Sequence, residues 1–124
     1  MIDKRTFDLE ERFIDFVLLI DEIVESLPNT KLGNYLAGQM IRSGTSPALN
    51  YGEAMGAESR KDFIHKMKII LKELRETFVC IKIIKKKNWI SPISKIETVF
   101  NENNELIAIS VTSIQTAKSN LSKK

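Results

Sequence analysis

Cationic side chains at helical spacing are the strongest chemical signal in this sequence of 124 residues. The segment from Glu58 to Asn88 carries ten Lys and Arg against four Asp and Glu, whereas the segment from Asp3 to Leu27 carries three against eight. At about 100° per residue of an α-helix, six of these cations fall on one flank. This basic flank consists of Lys61, Lys68, Lys72, Arg75, Lys82 and Lys86. Such a line can neutralise several phosphates of RNA or DNA and release their counterions.

The basic flank also fits a function without nucleic acid. It could be solvated surface, or it could pair with the acidic first segment, within one chain or between subunits. Charge alone does not separate these uses. Two classes of function therefore stay open. One is a non-catalytic scaffold that binds RNA or DNA through the basic flank, and the other is a protein-binding or structural oligomer without any nucleic-acid contact.

Residues that could catalyse a reaction are few and isolated. His65 is the only histidine, which excludes a di-iron bundle with paired Glu-x-x-His ligands and the common histidine-rich zinc sites. Cys80 has no base near it in the sequence, so we expect a small core residue and no thiol nucleophile. Glu53 and Glu58 lack an acid/base partner, and we expect Arg42 to pair with Glu53. The sequence therefore predicts no enzyme, no cofactor and no metal site.

The stretch RSGTSPALNYGEA, residues 42–54, combines small polar residues with Gly and Pro inside an otherwise helical pattern. On a helical projection its polar residues form a stripe separate from the apolar face. This polar stripe consists of Arg42, Ser43, Ser46, Asn50 and Glu53. Solvated helix faces are usually rich in Lys and Glu, so this composition favours a packed polar contact, either an oligomer interface or a polar network within the bundle. Because the Pro47 ring crowds the carbonyl of Ser43, we expect a kink there.

Apolar residues at steps of three and four predict the first three helices. The first carries an apolar stripe from Phe13 to Leu27 and ends at Pro28. The second follows an N-cap at Asn29 or Thr30 and extends to Met55. The third has Ser59 as N-cap and three lysines with Asn88 at its C-terminus. Its apolar seam, spaced as in a coiled coil, is Phe63, Met67, Ile70, Leu74, Thr77, Ile81 and Ile84.

A fourth helix is predicted with Ser91 as N-cap and Pro92 at its first position. Its predicted inward residues are Ile93, Ile96, Phe100, Ile107, Ile114 and Ala117. The β-branched residues of LIAISVTSI would suit a strand, but a lone strand among helices would have no partner. Four helices with short connections predict a single all-α domain over residues 1–124, an antiparallel up-down-up-down four-helix bundle.

Two stretches of the chain resemble a known family. RSGTSPALNYGEA, followed by AESRKDFIHKMKIILKELRET, resembles the bacterial four-helix-bundle proteins first noted in intervening sequences of large-subunit ribosomal RNA genes. The shared pattern is Arg42, Ser43, Ser46, Asn50 and Glu53 together with Ser59, Asp62 and Phe63. The chain departs from the family at Pro47 and Tyr51, where an aliphatic residue is more usual.

The resemblance carries expectations about assembly and partners. It implies an antiparallel four-helix bundle that forms a homopentameric barrel, and it implies no established activity. Relatives similar in fold include the accessory proteins of diversity-generating retroelements, which bind nucleic acid and contact a reverse transcriptase. A protein partner of that kind is an analogy of fold alone.

Composition and hydropathy limit the possible locations. The longest uninterrupted apolar run, Phe16 to Ile20, is far shorter than the ~20 residues of a membrane span. The first residues lack the apolar segment of a secretory signal, and a single cysteine cannot form an internal disulfide. We expect a cytoplasmic protein that has no membrane partner.

Overall fold

The chain folds into four helices, as the sequence predicts. The computed structural model describes residues 4–122, with side chains from 9 to 121. The helices are α1 (Lys4–Glu25), α2 (Lys31–Met55), α3 (Arg60–Lys87) and α4 (Ile93–Ser122). No strand occurs among these residues, and the segment LIAISVTSI lies within α4. The prediction of an all-α four-helix fold is therefore confirmed.

The backbone of each helix lies close to those of two neighbours. The close pairs are α1 with α2, α2 with α3, α3 with α4, and α4 with α1. Within residues 4–122, the backbones of the diagonal pairs, α1 with α3 and α2 with α4, do not approach closely. Between α2 and α3, Ser43 meets Thr77 and Glu53 meets Lys66, so residue numbers fall along one helix as they rise along the other. The helices α2 and α3 are therefore antiparallel, and the up-down-up-down order of the whole bundle stays a prediction.

Local signals in the sequence fix the ends of α2 and α3. Thr30 Oγ1 accepts a hydrogen bond from the Gly33 N–H at 3.0 Å, and Ser59 Oγ accepts one from the Asp62 N–H at 3.0 Å. Asn88 adopts the left-handed conformation with φ of 59°, which ends α3 after three lysines. These caps are the predicted ones. They place the basic flank on one continuous helix.

The core is built from the predicted apolar stripes of α1 to α3. Phe13, Phe16, Ile20 and Ile23 of α1 are buried. The α3 seam is buried from Met67 onward, while Phe63 is half-buried. The seam therefore directs one side of α3 inward, and the residues on its other side face solvent.

The inward side of α4 differs from the prediction. The helix begins at Ile93, one residue later than expected, and Pro92 precedes it as a carbonyl acceptor for the Lys95 N–H. Ile93 is 54% exposed, and Phe100 and Ile107 are only half-buried. The buried positions of α4 are Ile96, Val99, Asn103, Leu106, Ser110, Ile114 and Ala117. Two of these, Asn103 and Ser110, are polar, so the pattern of apolar residues in the sequence does not identify every buried position of α4.

Pro47 lies inside α2 and is buried. The residues on both of its sides are helical, so α2 continues from Lys31 to Met55. The kink at Pro47 stays a prediction.

Candidate nucleic-acid interface

The six residues of the basic flank lie on the solvent side of α3. All six are exposed, from Lys61 near the start of the helix to Lys86 near its end. At 1.5 Å per residue, these two residues are roughly 37 Å apart along the axis. The structure therefore arranges the predicted cations as one long exposed line.

None of the six cations forms an ion pair with the described residues. In contrast, Arg12, Arg42 and Lys66 each form an ion pair with a described residue. Lys66 lies outside the basic flank, and its Nζ is 2.7 Å from Glu53 Oε1, a hydrogen bond that raises the pKa of Lys66. The charges of the basic flank are therefore free to meet an external anion.

Aromatic rings extend the cationic surface at the C-terminal end of α3. Lys82 Nζ lies 4.7 Å from the centroid of the Phe78 ring, and Lys85 Nζ lies 4.8 Å from that of Phe100. Lys87 Nζ lies 5.4 Å from the ring of Trp89. Such contacts hold an ammonium group near a ring without neutralising it. Sequence reasoning missed Lys85 as part of this surface because its aromatic neighbour, Phe100, lies on α4, and it missed Lys87 although Trp89 is only two residues away.

The acidic helix lies diagonally across the bundle from the basic flank. Among the residues of α1 with described side chains, from residue 9 onward, the exposed acidic ones are Glu10, Glu11, Asp15, Asp21, Glu22 and Glu25. The backbones of α1 and α3 do not approach closely within residues 4–122, and no described carboxylate of α1 forms an ion pair with a cation of α3, so the two charged helices do not neutralise each other inside one chain. Of the two pairings that the sequence left open for α1 and α3, only the one between subunits remains.

Arg42 pairs across the bundle and not with Glu53, which corrects the sequence-based expectation. Its Nη1 is 2.8 Å from Glu73 Oε2, and its Nη2 is 3.1 Å from Glu76 Oε1. These partners raise the pKa of Arg42, chiefly through the hydrogen bond to Glu73. Glu53 instead accepts from Lys66. Arg42 and Glu53 are about 16 Å apart along one helix axis, which is too far for a direct pair.

The other residues of the polar stripe also lie on the side of α2 that faces α3, or bond within α2. The hydroxyl oxygens of Ser43 and Thr77 are 2.7 Å apart in the core. Asn50 Nδ2 donates to the Ser46 carbonyl at 3.0 Å and to Ser46 Oγ at 2.8 Å. Each residue of the polar stripe therefore has a bonding partner inside the subunit, and the bonds form separate groups.

Two reactive residue types stay isolated in the structure. Cys80 is buried, and this burial raises the pKa of its thiol, with a smaller contribution from Glu76. His65 is exposed on α3. Across the described part of the chain, no three His, Cys, Asp or Glu side chains converge as metal ligands would. The exposed cations of the basic flank are suited to binding an anion.

A family comparison agrees with this architecture. The model of the 23S rRNA-intervening sequence proteins matches residues 5–112. The chain belongs to this family. It is also similar to a solved protein of unknown function from the S23 ribosomal protein family of Bacteroides thetaiotaomicron. The two are 29% identical with a TM-score of 0.77, and the match covers 86% of this chain and 97% of that one.

The family assignment confirms the resemblance carried by residues 42–54 and the stretch that follows them. No curated protein matches the chain. Among the described residues, no helix is both long enough and apolar enough to cross a membrane.

Proposed function

We propose that the protein is a non-catalytic homo-oligomeric scaffold whose basic flank binds RNA or DNA without sequence specificity. The observation that supports this most is the exposed line of six cations on α3, which has no ion pair with any described residue. The family resemblance supports an assembly of five subunits. A ring of subunits would repeat the line and multiply the number of phosphates within reach.

Recognition by this surface is expected to be independent of sequence. Lysine side chains on an exposed helix contact phosphates as point charges and do not present a geometry that reads base edges. Five of the six residues are lysines, and Arg75 is the exception. Affinity is therefore expected to come from counterion release, and it should fall as salt increases.

A second candidate function rests on the acidic helix. The exposed carboxylates of α1 lie on the side of the bundle opposite the basic flank. They could contact the basic flank of another subunit or a basic surface of another protein. In that case the chain would be a protein-binding or structural oligomer without nucleic-acid contact. A partner such as a reverse transcriptase is supported only by analogy of fold.

The test is binding to nucleic acid as a function of salt. Fluorescence anisotropy with a generic RNA oligomer and a DNA duplex compares wild type with Lys68→Ala/Lys72→Ala after the oligomer masses are shown to be equal. Each phosphate contact on a single strand contributes about −0.7 to the slope of log affinity against log salt, so two lost contacts should flatten it by roughly 1.4.

The matched control reverses the charge of one exposed lysine of α4, Lys95→Glu. This variant has the same net charge as the test variant but keeps the basic flank intact. Its slope of log affinity against log salt should therefore equal that of the wild type. An equal loss in both variants would reveal attraction by net charge alone. Absence of wild-type binding at low salt would instead favour the protein-binding alternative.

A further inference from the structure

Two glycines of α2 have no explanation inside the chain. Packing inside the chain accounts for the other two glycines inside α2, because a Cβ on Gly44 would lie 3.0 Å from Ile20, and a Cβ on Gly33 would collide with the Pro28 carbonyl. Gly38 and Gly52 are exposed, and a Cβ on either would meet nothing within 4 Å. Glycine in a helix interior is destabilising relative to alanine. A close approach from outside the subunit would account for both.

The two glycines share a face with exposed apolar residues. Gly38, Thr45 and Gly52 recur every seven residues, which keeps them on one side of α2. Ile41 and Leu49 lie beside them and are 42% and 69% exposed. We call these five residues the α2 outer face. The set combines a seam without large side chains with two apolar residues that no described part of the chain covers.

A complementary surface lies on α1. Ile14 and Leu18 are one helical turn apart and are 43% and 61% exposed. We call them the α1 ridge. Exposed carboxylates such as Glu11, Asp15 and Asp21 surround it. The chain thus exposes a seam of small residues on one helix and a bulky apolar pair on the next.

We infer that the α1 ridge of a second copy of this chain packs onto the α2 outer face. Large side chains fit where glycines let two helix backbones approach. Charge favours the same pairing, because no acidic residue occurs on α2 before Glu53, while the exposed Lys31, seven residues before Gly38, offers a cation to the carboxylates of an incoming α1. Pairing α1 with α1 would oppose like charges.

This contact is head-to-tail, so every subunit has one surface of each kind. Heterologous contacts repeat from subunit to subunit and end in a ring or a filament. The inference rests on the proposed homo-oligomer and names the surface that builds it. It leaves the basic flank of α3 outside the contact, where nucleic acid could reach it.

The test uses two variants that each destroy one surface. Gly38→Leu/Gly52→Leu fills the seam, and both leucines enter open space in the isolated subunit. Ile14→Gln/Leu18→Gln removes the ridge. Light scattering at micromolar concentration should give each variant a mass near the 14.2 kDa of one chain, with wild-type helix content by circular dichroism. Asn104→Leu/Gln115→Leu, on exposed positions of α4, is the control for added apolar bulk and should keep the wild-type mass.

Mixing the variants in equal amounts distinguishes this contact from any other. Each variant keeps the surface that the other lacks, so the mixture should form a heterodimer of about twice the mass, while neither forms a dimer alone. Wild-type mass in both variants would overturn the α2 outer face and leave the proposed assembly intact. A monomeric wild type would overturn both the contact and the assembly, and the salt-dependent binding assay would still report on nucleic acid.

Discussion

The hydroxyl oxygens of Ser43 and Thr77 lie 2.7 Å apart in the core and join α2 to α3. Thr77 Oγ1 also donates to the Glu73 carbonyl at 3.0 Å. Since the single hydroxyl proton of Thr77 is used there, Ser43 is the donor between the two side chains. This chain of bonds lets Thr77, the polar residue of the α3 seam, lie among apolar neighbours with its hydroxyl group hydrogen-bonded.

Removal of the two hydroxyls should have unequal effects. Thr77→Val leaves the buried Ser43 hydroxyl without its acceptor and should lower the free energy of unfolding by about 1–3 kcal/mol. Ser43→Ala leaves the bond from Thr77 to Glu73 in place and should cost roughly 0.5–1.5 kcal/mol. Urea denaturation of both single variants and the double variant gives the interaction free energy between the two hydroxyl groups. Additive effects would show that the two hydroxyls act independently.

Local signals explain how much of the fold could be predicted. The Ser59 cap, the Asn88 terminus and the α3 seam each depend on residues close in sequence, and the structure has all three. The prediction of the inward side of α4 was partly wrong, because the polar residues Asn103 and Ser110 occupy buried positions. Asn103 Nδ2 donates to the Leu74 carbonyl at 3.1 Å, a partner that only the packed α3 supplies.

The candidate site was predictable where it depends on a single helix. Helical spacing alone places Lys61 to Lys86 on one exposed line. The partner of Arg42 was not predictable, since Glu73 lies 31 residues away and on another helix. The small residues of α2 were also ambiguous in sequence. Only the packed structure distinguishes Gly44, where an added Cβ would meet Ile20, from Gly38, where an added Cβ would meet nothing within 4 Å.

Gly44→Ala should destabilise the subunit. The added Cβ would lie 3.0 Å from both Cγ atoms of Ile20, so the tightly packed core must shift, at a cost of about 1–3 kcal/mol. Gly56→Ala is the matched control, because its φ of −98° suits alanine and its nearest contact would be 3.8 Å. Thermal unfolding should show a lower midpoint for the first variant and little change for the second.

Arg42 should stabilise the bundle mainly by compensating a buried charge. Glu73 is almost fully buried, and the described residues give its carboxylate no other ion-pair partner. Arg42→Met should therefore lower the urea midpoint. Adding Glu73→Gln removes the charge and should recover part of the loss. If the double variant were as unstable as the sum of the single ones, the ion pair would not be the cause.

Cys80 should react slowly while the protein is folded. Burial raises the pKa of its thiol above the ordinary value near 9, and only the thiolate is nucleophilic. Iodoacetamide at pH 8 should therefore modify Cys80 only after urea unfolds the chain. Because the unfolded thiol ionises first, its contribution to stability is present below pH ~9 and is lost as pH rises further. The stability of Cys80→Ala should lack this loss, and equal pH curves for the two proteins would contradict it.

The last prediction concerns Arg12, which fastens α1 to α4. Its Nε and Nη2 donate to the two oxygens of Glu102 at 3.0 and 2.7 Å, and Nη2 also reaches Glu105 at 3.1 Å. Lysine keeps the charge but cannot form two parallel hydrogen bonds to one carboxylate, so Arg12→Lys should lower the free energy of unfolding by about 1 kcal/mol. Hydrogen exchange should speed up in α1 more than in α3. Arg60→Lys, at an exposed position, is the control and should leave both rates unchanged. Equal acceleration in all four helices would mean that Arg12 supports the whole fold and does not hold α1 alone.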